Sequence, residues 1–593
     1  MAQIAGLWDS RQEGPPGDIG VFQATASVIV YPFTFSGTTY IVAQRMGVQG
    51  WTLVSHGTDA RTVIQAAVSV GGKTFIKSGN YIVLVSIFIP SNTSVEGEGK
   101  TTHLQTENNI QIFTAAGTGM LHKTGISIRN LYLTGSNAGN TQVGVYFSYI
   151  EDSIIDGVWI DDMGRDGVQL LQDSLRCIVS NNIVKNCEDD GISLNNAEQN
   201  IIKGNTCNGM TYDGIHIVND SNENTVIGNI CTLNEDNGIR VSSVTVASNN
   251  NTIVGNICEE NTGHGIFLEA GDHGIVDGNV CLNNTGTGIM LSSFHKAVIS
   301  NNLASGNTLR GIYLSLSSDC TVDGNICTGN TLHGINLYNN SGNTVTGNIC
   351  NANVQHGIAL GISSNNILVG NICNENDSGD TNTYDGINIT NDSDDNLVHS
   401  NICNDNDRRG VFINTANCDR NWVKNNQLRG NTTAAFGDLG TDTKLETIPL
   451  YIASYNVTDV SESEDGLVVD DVGEWVSFVG QLPLHVQQVV RFEIWAVGLA
   501  APGAGNQMCL TIEIEGGADD EPKTQHDTGA LAGQLNTTEN TAVNDIIHWV
   551  CTHANALALL GGDSVKCVCR YNAAVASDIA TNAAFRRVLA HIV

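Results

Sequence analysis

The chain has 593 residues, with 61 acidic against 27 basic side chains and a formal net charge of −34. That length is too great for one core and asks for several domains, and that charge argues against nucleic acid, whose phosphates it would repel. No apolar run reaches the roughly 18–20 residues of a membrane span, so no membrane insertion is expected. The opening Met1-Ala-Gln-Ile-Ala-Gly-Leu-Trp lacks a basic-then-apolar targeting segment. An extracellular or virion-surface location would then be reached by lysis, within a virion, or by a non-standard route.

Residues 1–55, with Pro-Pro-Gly, Tyr-Pro-Phe and the strand-like Tyr40-Ile-Val-Ala, predict a small β-rich attachment or cap module. Next comes Thr58-Asp-Ala-Arg-Thr-Val-Ile-Gln-Ala-Ala-Val-Ser, a short amphipathic helix capped by Thr58 or Asp59. An open solenoid end leaves strand edges unpaired, and a helix over the first coil covers them.

From Asn182 the chain repeats itself. An Asn that opens Asn-Ile-Cys or a close variant falls at 182, 205, 229, 256, 279, 302, 325, 348, 371, 401 and 426, mostly 23 or 24 residues apart. The Gly of Gly-Ile-x-Leu keeps the same beat from Gly144 to Gly410. A fixed period of this size means one supersecondary unit stacked on itself. Within a unit, apolar and polar residues alternate in runs of three to five, as in Thr225-Val-Ile-Gly-Asn-Ile-Cys and Gly238-Ile-Arg-Val. That is strand periodicity, and Asn, Asp, Ser and Gly between the runs enter tight corners cheaply. The pattern predicts an all-β fold: a parallel β-helix of about 12 coils over residues 56–440. The Ile of Asn-Ile-Cys and the Ile and Leu of Gly-Ile-x-Leu are expected inside. The longer steps Asn229–Asn256 and Asn371–Asn401 are expected to bulge as surface loops.

Eight of the sixteen cysteines (207, 231, 258, 281, 327, 350, 373 and 403) share one repeat position, which Val184, Ala304 and Leu428 fill elsewhere. A position that accepts these residues is a packing position, and free Cys serves there as a small hydrophobe. Residues 441–593 instead carry longer alternating runs, among them Val489-Val-Arg-Phe-Glu-Ile-Trp and Ser564-Val-Lys-Cys-Val-Cys-Arg-Tyr. They predict a C-terminal antiparallel β-sandwich.

The segment Asp59-Ala-Arg-Thr-Val-Ile-Gln-Ala-Ala, then Gly71-Gly-Lys-Thr-Phe-Ile-Lys-Ser-Gly-Asn-Tyr, then Ile89-Pro-Ser-Asn-Thr-Ser-Val-Glu-Gly-Glu-Gly resembles the opening of the pectate-lyase-like β-helix superfamily. The superfamily includes viral tail-spikes and related archaeal and viral repeat proteins, and residues 120–430 resemble its repeats. The resemblance implies a right-handed helix and, from the spikes, a homotrimer that engages surface polysaccharide, with the C-terminal domain trimerising or binding sugar. It does not fix an activity, because the family spans lyases, hydrolases, epimerases and adhesins.

Two columns are expected on the outside of the coils. One, the residue before Gly-Ile, begins Asp166, Asp190, Asp213; Asp189 stands beside it, and His216 and Arg240 lie on the adjoining column. Stacked carboxylates repel, so one should hold its proton and act as an acid. The candidate catalytic set is Asp166, Asp189, Asp190, Asp213 and His216; the alternative is ordinary turn chemistry on an acidic chain. No cofactor is required by this pattern, and Ca2+ enters if the chemistry is that of a lyase. Farther along, Phe267, Met290 and Tyr313 form an apolar stripe, with Arg240 and Glu269 beside it. Such a stripe takes either sugar rings or a second subunit. Binding alone, binding with depolymerisation by a lyase or glycosidase, and a purely structural sheath all stay open. The fragments Glu188-Asp-Asp-Gly-Ile and Gly263-His-Gly look like polygalacturonase motifs, but their spacing departs from that family and its mechanism does not transfer.

Overall fold

The computed structural model describes residues 28–47, 50–136, 139, 141–379 and 381–456, and beyond them the backbone of the strands between Glu462 and Ile592. The chain divides into two units, Met1–Thr344 and Val345–Val593.

In the first unit, residues 1–27 of the expected N-terminal module lie outside the described residues. The rest of it forms antiparallel strands Val28–Phe35, Thr38–Gly47 and Gly50–Gly57. Val28–Phe35 also pairs in parallel with Gly72–Ile76, which joins the module to the solenoid wall. Between them lies helix Ala60–Ser69, capped by Asp59, whose carboxylate accepts from Arg61 N. An anionic cap suits the positive end of the helix dipole. Ala60, Val63, Ile64, Ala67 and Val68 form its buried stripe, at the helical period the sequence carries.

The repeat coils up to Thr328 contribute three short strands each, and beyond it the Asn-Ile-Cys strand is reduced to isolated bridges at Ile349, Ile372 and Ile402. In one coil the three are Thr225–Ile227, Ile230–Thr232 and Ile239–Ser242. The next coil sets Thr252, Cys258 and Phe267 in parallel register against Thr225, Cys231 and Arg240. Among the described residues the solenoid makes about 15 turns where about 12 are expected. The early turns, with strands such as Thr93–Glu96, Thr102–Gln105 and Gln111–Ala116, pair like the others but lack the Asn-Ile-Cys phrase by which coils are counted.

The corner before each ladder Asn explains why Gly and Asn alternate there. Asn181, Gly204, Gly228 and Gly255 have φ of 54°, 63°, 64° and 63°, a left-handed backbone that Gly adopts freely and Asn tolerates. The Gly of Gly-Ile answers a different need. A Cβ on Gly238 would stand 2.6 Å from Gly265 O and 2.8 Å from Cys258 Cβ, closer than packing allows. The Gly thus faces the Cys position, or Val184 and Leu428 in other coils, where it leaves no room for a Cβ of its own.

The register buries polar ladders as well as apolar ones. Asn205 N and Nδ2 both donate to Asn229 Oδ1 at 2.9 Å, and Asn229 N and Nδ2 repeat this to Asn256 Oδ1 at 2.9 and 3.0 Å. Buried amides are tolerated because each coil satisfies the one before it. Cys207, Cys231, Cys258 and Cys281 stack beside them, fully buried and unbridged. The Ile and Leu of Gly-Ile-x-Leu are buried as expected, Ile266 and Leu268 among them. The Ile of Asn-Ile-Cys is not: Ile230, Ile257 and Ile326 are 40, 37 and 40% exposed. With Asn and Cys turned inward, strand alternation sends the residue between them out.

The second unit opens on parallel strands including Ile358–Gly361, Ile387–Thr390 and Arg409–Ile413, with its own ladder from Asn371 through Asn401 to Asn426. Strand Lys444–Asn456 starts in parallel with Trp422–Lys424 and continues antiparallel with both Trp475–Gln481 and Ala583–Ile592. The strands predicted around 489, 510, 564 and 584 occur as Val489–Gly498, Leu510–Gly517, Ser564–Tyr571 and Ala583–Ile592, all in antiparallel pairs.

Candidate functional site

The column before Gly-Ile is not outward. Asp166, Asp190 and Asp213 are 0, 4 and 1% exposed, because each carboxylate serves the next coil. Asp190 N donates to Asp166 Oδ1, Asp213 N to Asp190 Oδ1 and Asn237 N to Asp213 Oδ1, each at 3.0 Å. The same pattern runs on through His264 N to Asn237 Oδ1 and Thr287 N to His264 Nδ1. A column that needs an acceptor therefore takes Asp, Asn or His alike, which is the turn chemistry the sequence left open.

The second oxygens make the site. Asp166 Oδ2 accepts from Gln169 Nε2 and lies 3.3 Å from Arg165 Nε, which also pairs with Asp189 at 3.6 Å. Asp190 Oδ2 is 2.9 Å from His216 Nδ1, and Asp213 Oδ2 is 3.8 Å from the same nitrogen and 4.0 Å from Arg240 Nη1. On its other side His216 Nε2 is 2.8 Å from Ser242 Oγ. The structure thus gathers all five expected catalytic residues. Ser242 and Gln169 complete the network, and the sequence pattern singled out neither.

Burial, then the charges of Asp190 and Asp189, raises Asp166 well above the usual carboxylate range, and burial with Asp190 does the same less strongly to Asp189. Burial and the neighbouring Asp190 push Asp213 up to about 7. Burial works most strongly against a charged His216, but its hydrogen bond to Asp190 together with the charges of Asp190 and Asp213 outweighs that and raises the imidazole. The upward direction at Asp166 and Asp213 is the one that burial and mutual repulsion of stacked carboxylates impose.

Asp190, Asp213 and His216, and likewise Asp166, Asp189 and Asp190, bring candidate ligand atoms within 4.8 Å of one another. A cation there would have to displace the Asp190–His216 and Asp166–Gln169 hydrogen bonds, with Arg165 and Arg240 alongside. As folded, the donor set is a hydrogen-bonded network, which does not fit a hard cation such as Ca2+.

The apolar stripe is in register, Arg240 opposite Phe267, Phe267 opposite Met290, and Met290 opposite Tyr313. Its side chains are half-buried, not exposed as expected, because charged neighbours lean on them. The Arg240 guanidinium lies 5.6 Å from the Phe267 ring centre, His264 packs edge-on to Phe267 at 5.2 Å, and Arg310 sits 4.7 Å over Tyr313. Glu269 is taken by Arg240, Nη2 to Oε2 at 3.0 Å.

The family model described as "Right handed beta helix region" matches residues 227–339 and 297–448, and that described as "Periplasmic copper-binding protein (NosD)" matches residues 67–256. The chain is a right-handed parallel β-helix of the pectate-lyase-like kind. No curated protein sequence matches this β-helix. Among solved structures it is similar to the pre-mature bacteriophage phi29 gene product 12, at 12% identity over 72% of this chain and 77% of that one, with a TM-score of 0.48. It is also similar to the Azotobacter vinelandii mannuronan C-5 epimerase AlgE4 A-module, at 16% identity over 49% and 90%, TM-score 0.43. The periplasmic alginate epimerase AlgG aligns at 15% identity over 56% and 84%, TM-score 0.35. At these identities the likeness is one of fold, and function has to be argued from the site.

Proposed function

We propose that this protein is a spike-like surface β-helix, homotrimeric and extracellular or virion-borne, that binds polysaccharide along the outer face of its Gly-Ile sheet. One observation carries the reading. The row Arg240–Phe267–Met290–Tyr313 offers half-buried rings and a thioether at the inter-strand spacing of about 4.8 Å, continuous with the carboxylate cluster. Sugar faces stack on such surfaces, and cations at their margin hold anionic substituents.

Arg310 favours a ligand over a subunit seam. Arg129, Arg165, Arg176 and Arg240 each pair with a carboxylate at 2.8–3.3 Å. Arg310 pairs with none among the described residues, and its buried Nε lacks an acceptor. On so acidic a chain, a half-buried guanidinium without a counter-ion fits the carboxylate or sulfate of an acidic glycan. Calorimetry with acidic and neutral oligosaccharides tests this. Arg310→Ala should weaken acidic-glycan binding by roughly 10–100-fold, the loss of one charged hydrogen bond. Unchanged affinity in both Arg310→Ala and Tyr313→Ala would refute the binding face, and ordered end-to-end assembly without glycan binding would favour the sheath.

Depolymerisation is the second reading, favoured by Asp213, whose proton near neutral pH is what a general acid needs. It predicts new reducing ends or unsaturated products, abolished in Asp213→Asn.

A further inference from the structure

The contacts of His216 point to an activity other than chain cleavage. Its Nδ1 is 2.9 Å from Asp190 Oδ2 and its Nε2 is 2.8 Å from Ser242 Oγ. Asp190 is almost wholly buried, and the His216 side chain keeps 19% of its surface exposed. With Nδ1–H donating to the carboxylate, Nε2 is left as the acceptor for the serine proton. An acid that orients a base, and a base in contact with a hydroxyl, is the arrangement that activates serine for acyl transfer. We propose that Asp190, His216 and Ser242 form a serine esterase triad that removes O-acyl groups from a polysaccharide.

Two further features converge on Ser242. Arg240 stands two residues earlier on the same strand, so strand alternation gives both side chains one face, where Ser242 itself is 3% exposed and His216 is its route to the surface. Arg240 Nε is buried with no hydrogen-bond partner among the described residues. A buried donor left unsatisfied is costly, and in the proposed reaction an oxyanion formed at Ser242 would give it an acceptor, while Nη2 stays on Glu269. The coil that contains Ser242 is also longer than its neighbours. Ladder asparagines Asn229 and Asn256 are 27 residues apart where Asn205 and Asn229 are 24. The extra residues follow Ser242 and bring up Val244 and Val246, 79 and 51% exposed. Inserted loops are where a repeat scaffold carries function, and two exposed valines two and four residues after the buried Ser242 suit a short apolar acyl group.

The chemistry closes without any outside oxidant or cofactor. Ser242 Oγ bonds to the ester carbonyl carbon as its proton passes to His216 Nε2. The bond from that carbon to the sugar oxygen breaks, and the proton returns to the departing oxygen, leaving acyl-Ser242. Water, deprotonated by His216, then attacks the acyl carbon, releasing the carboxylic acid and restoring the Ser242 hydroxyl. The sugar identity of the substrate rests on the polysaccharide reading; the ester chemistry does not.

The test uses the full chain with two small probes, a fluorophosphonate and p-nitrophenyl acetate. The fluorophosphonate should add once, to the peptide bearing Ser242. Ser242→Ala should abolish labelling and lower acetate release by about a hundredfold or more, with an unchanged circular dichroism melt. Ser242→Cys, which keeps a nucleophile, should still acylate by intact mass. Ester turnover should rise with pH as His216 loses its proton. Folded wild-type protein that takes no label at Ser242, or Ser242→Ala with full hydrolysis, overturns the triad. Glycan binding by wild-type protein is measured in parallel, since its absence would sink the polysaccharide reading alone.

Discussion

Replacing Asn229 by alanine isolates what the buried amide ladder contributes. Asn229 Oδ1 is the acceptor for both Asn205 N and Asn205 Nδ2, and Asn229 Nδ2 donates to Ile202 O at 2.9 Å and to Asn256 Oδ1. The substitution leaves the Asn205 backbone N–H and one of its amide N–H groups without an acceptor, in a fully buried position. Each such donor costs roughly 1–3 kcal/mol, so the variant should lose about 2–6 kcal/mol at that coil. Stacked repeats need not unfold in one step, so the assay is native-state hydrogen exchange at the amides of 203–231, with a urea melt beside it. Ile230→Thr is the control, one residue away but 40% exposed, and should stay within about 0.5 kcal/mol. If Asn229→Ala costs no more than the control, the ladder does not hold the coils together and the account of the repeat is wrong.

Other outcomes follow from the same geometry. Asp213, at about 7 when folded and about 3.9 unfolded, favours the folded state only while protonated. Its contribution is therefore full below about pH 4 and is lost as the pH rises to 7, and Asp213→Asn should flatten that fall in urea melts across pH 4–8. The described cysteines from Cys177 to Cys418 are all buried, so those thiols should resist iodoacetamide in native protein and react on unfolding; ready native labelling would contradict the stack. EDTA should leave glycan binding unchanged, because the carboxylates are already engaged by Gln169, Arg165 and His216. A loss restored by Ca2+ would show that a cation displaces those bonds.

The fold was legible because a period of 23 or 24 residues leaves one way to bury every strand, and the Asp59 cap and the Cys column follow local rules of helix ends and packing. Which residues face outward was read less well. Asn-Ile-Cys looks like an inward Ile until the amide ladder is seen to claim the inside, and Asp166, Asp190 and Asp213 look like surface acids until their oxygens are found holding the backbone of the next coil. The extra residues after Ser242 were visible as a long step, but nothing local marked that serine.

Sequence alone determined the stacking, because a ladder position repeats whatever chemistry its coil can satisfy, and so writes itself into the chain as a rhythm. Only the tertiary structure decided that Asp190, His216 and Ser242 meet. These three come from three successive coils, and the contact of His216 with Ser242 is a diagonal one between strands whose register sets His216 opposite Arg240, a register fixed by the stacking of the coils.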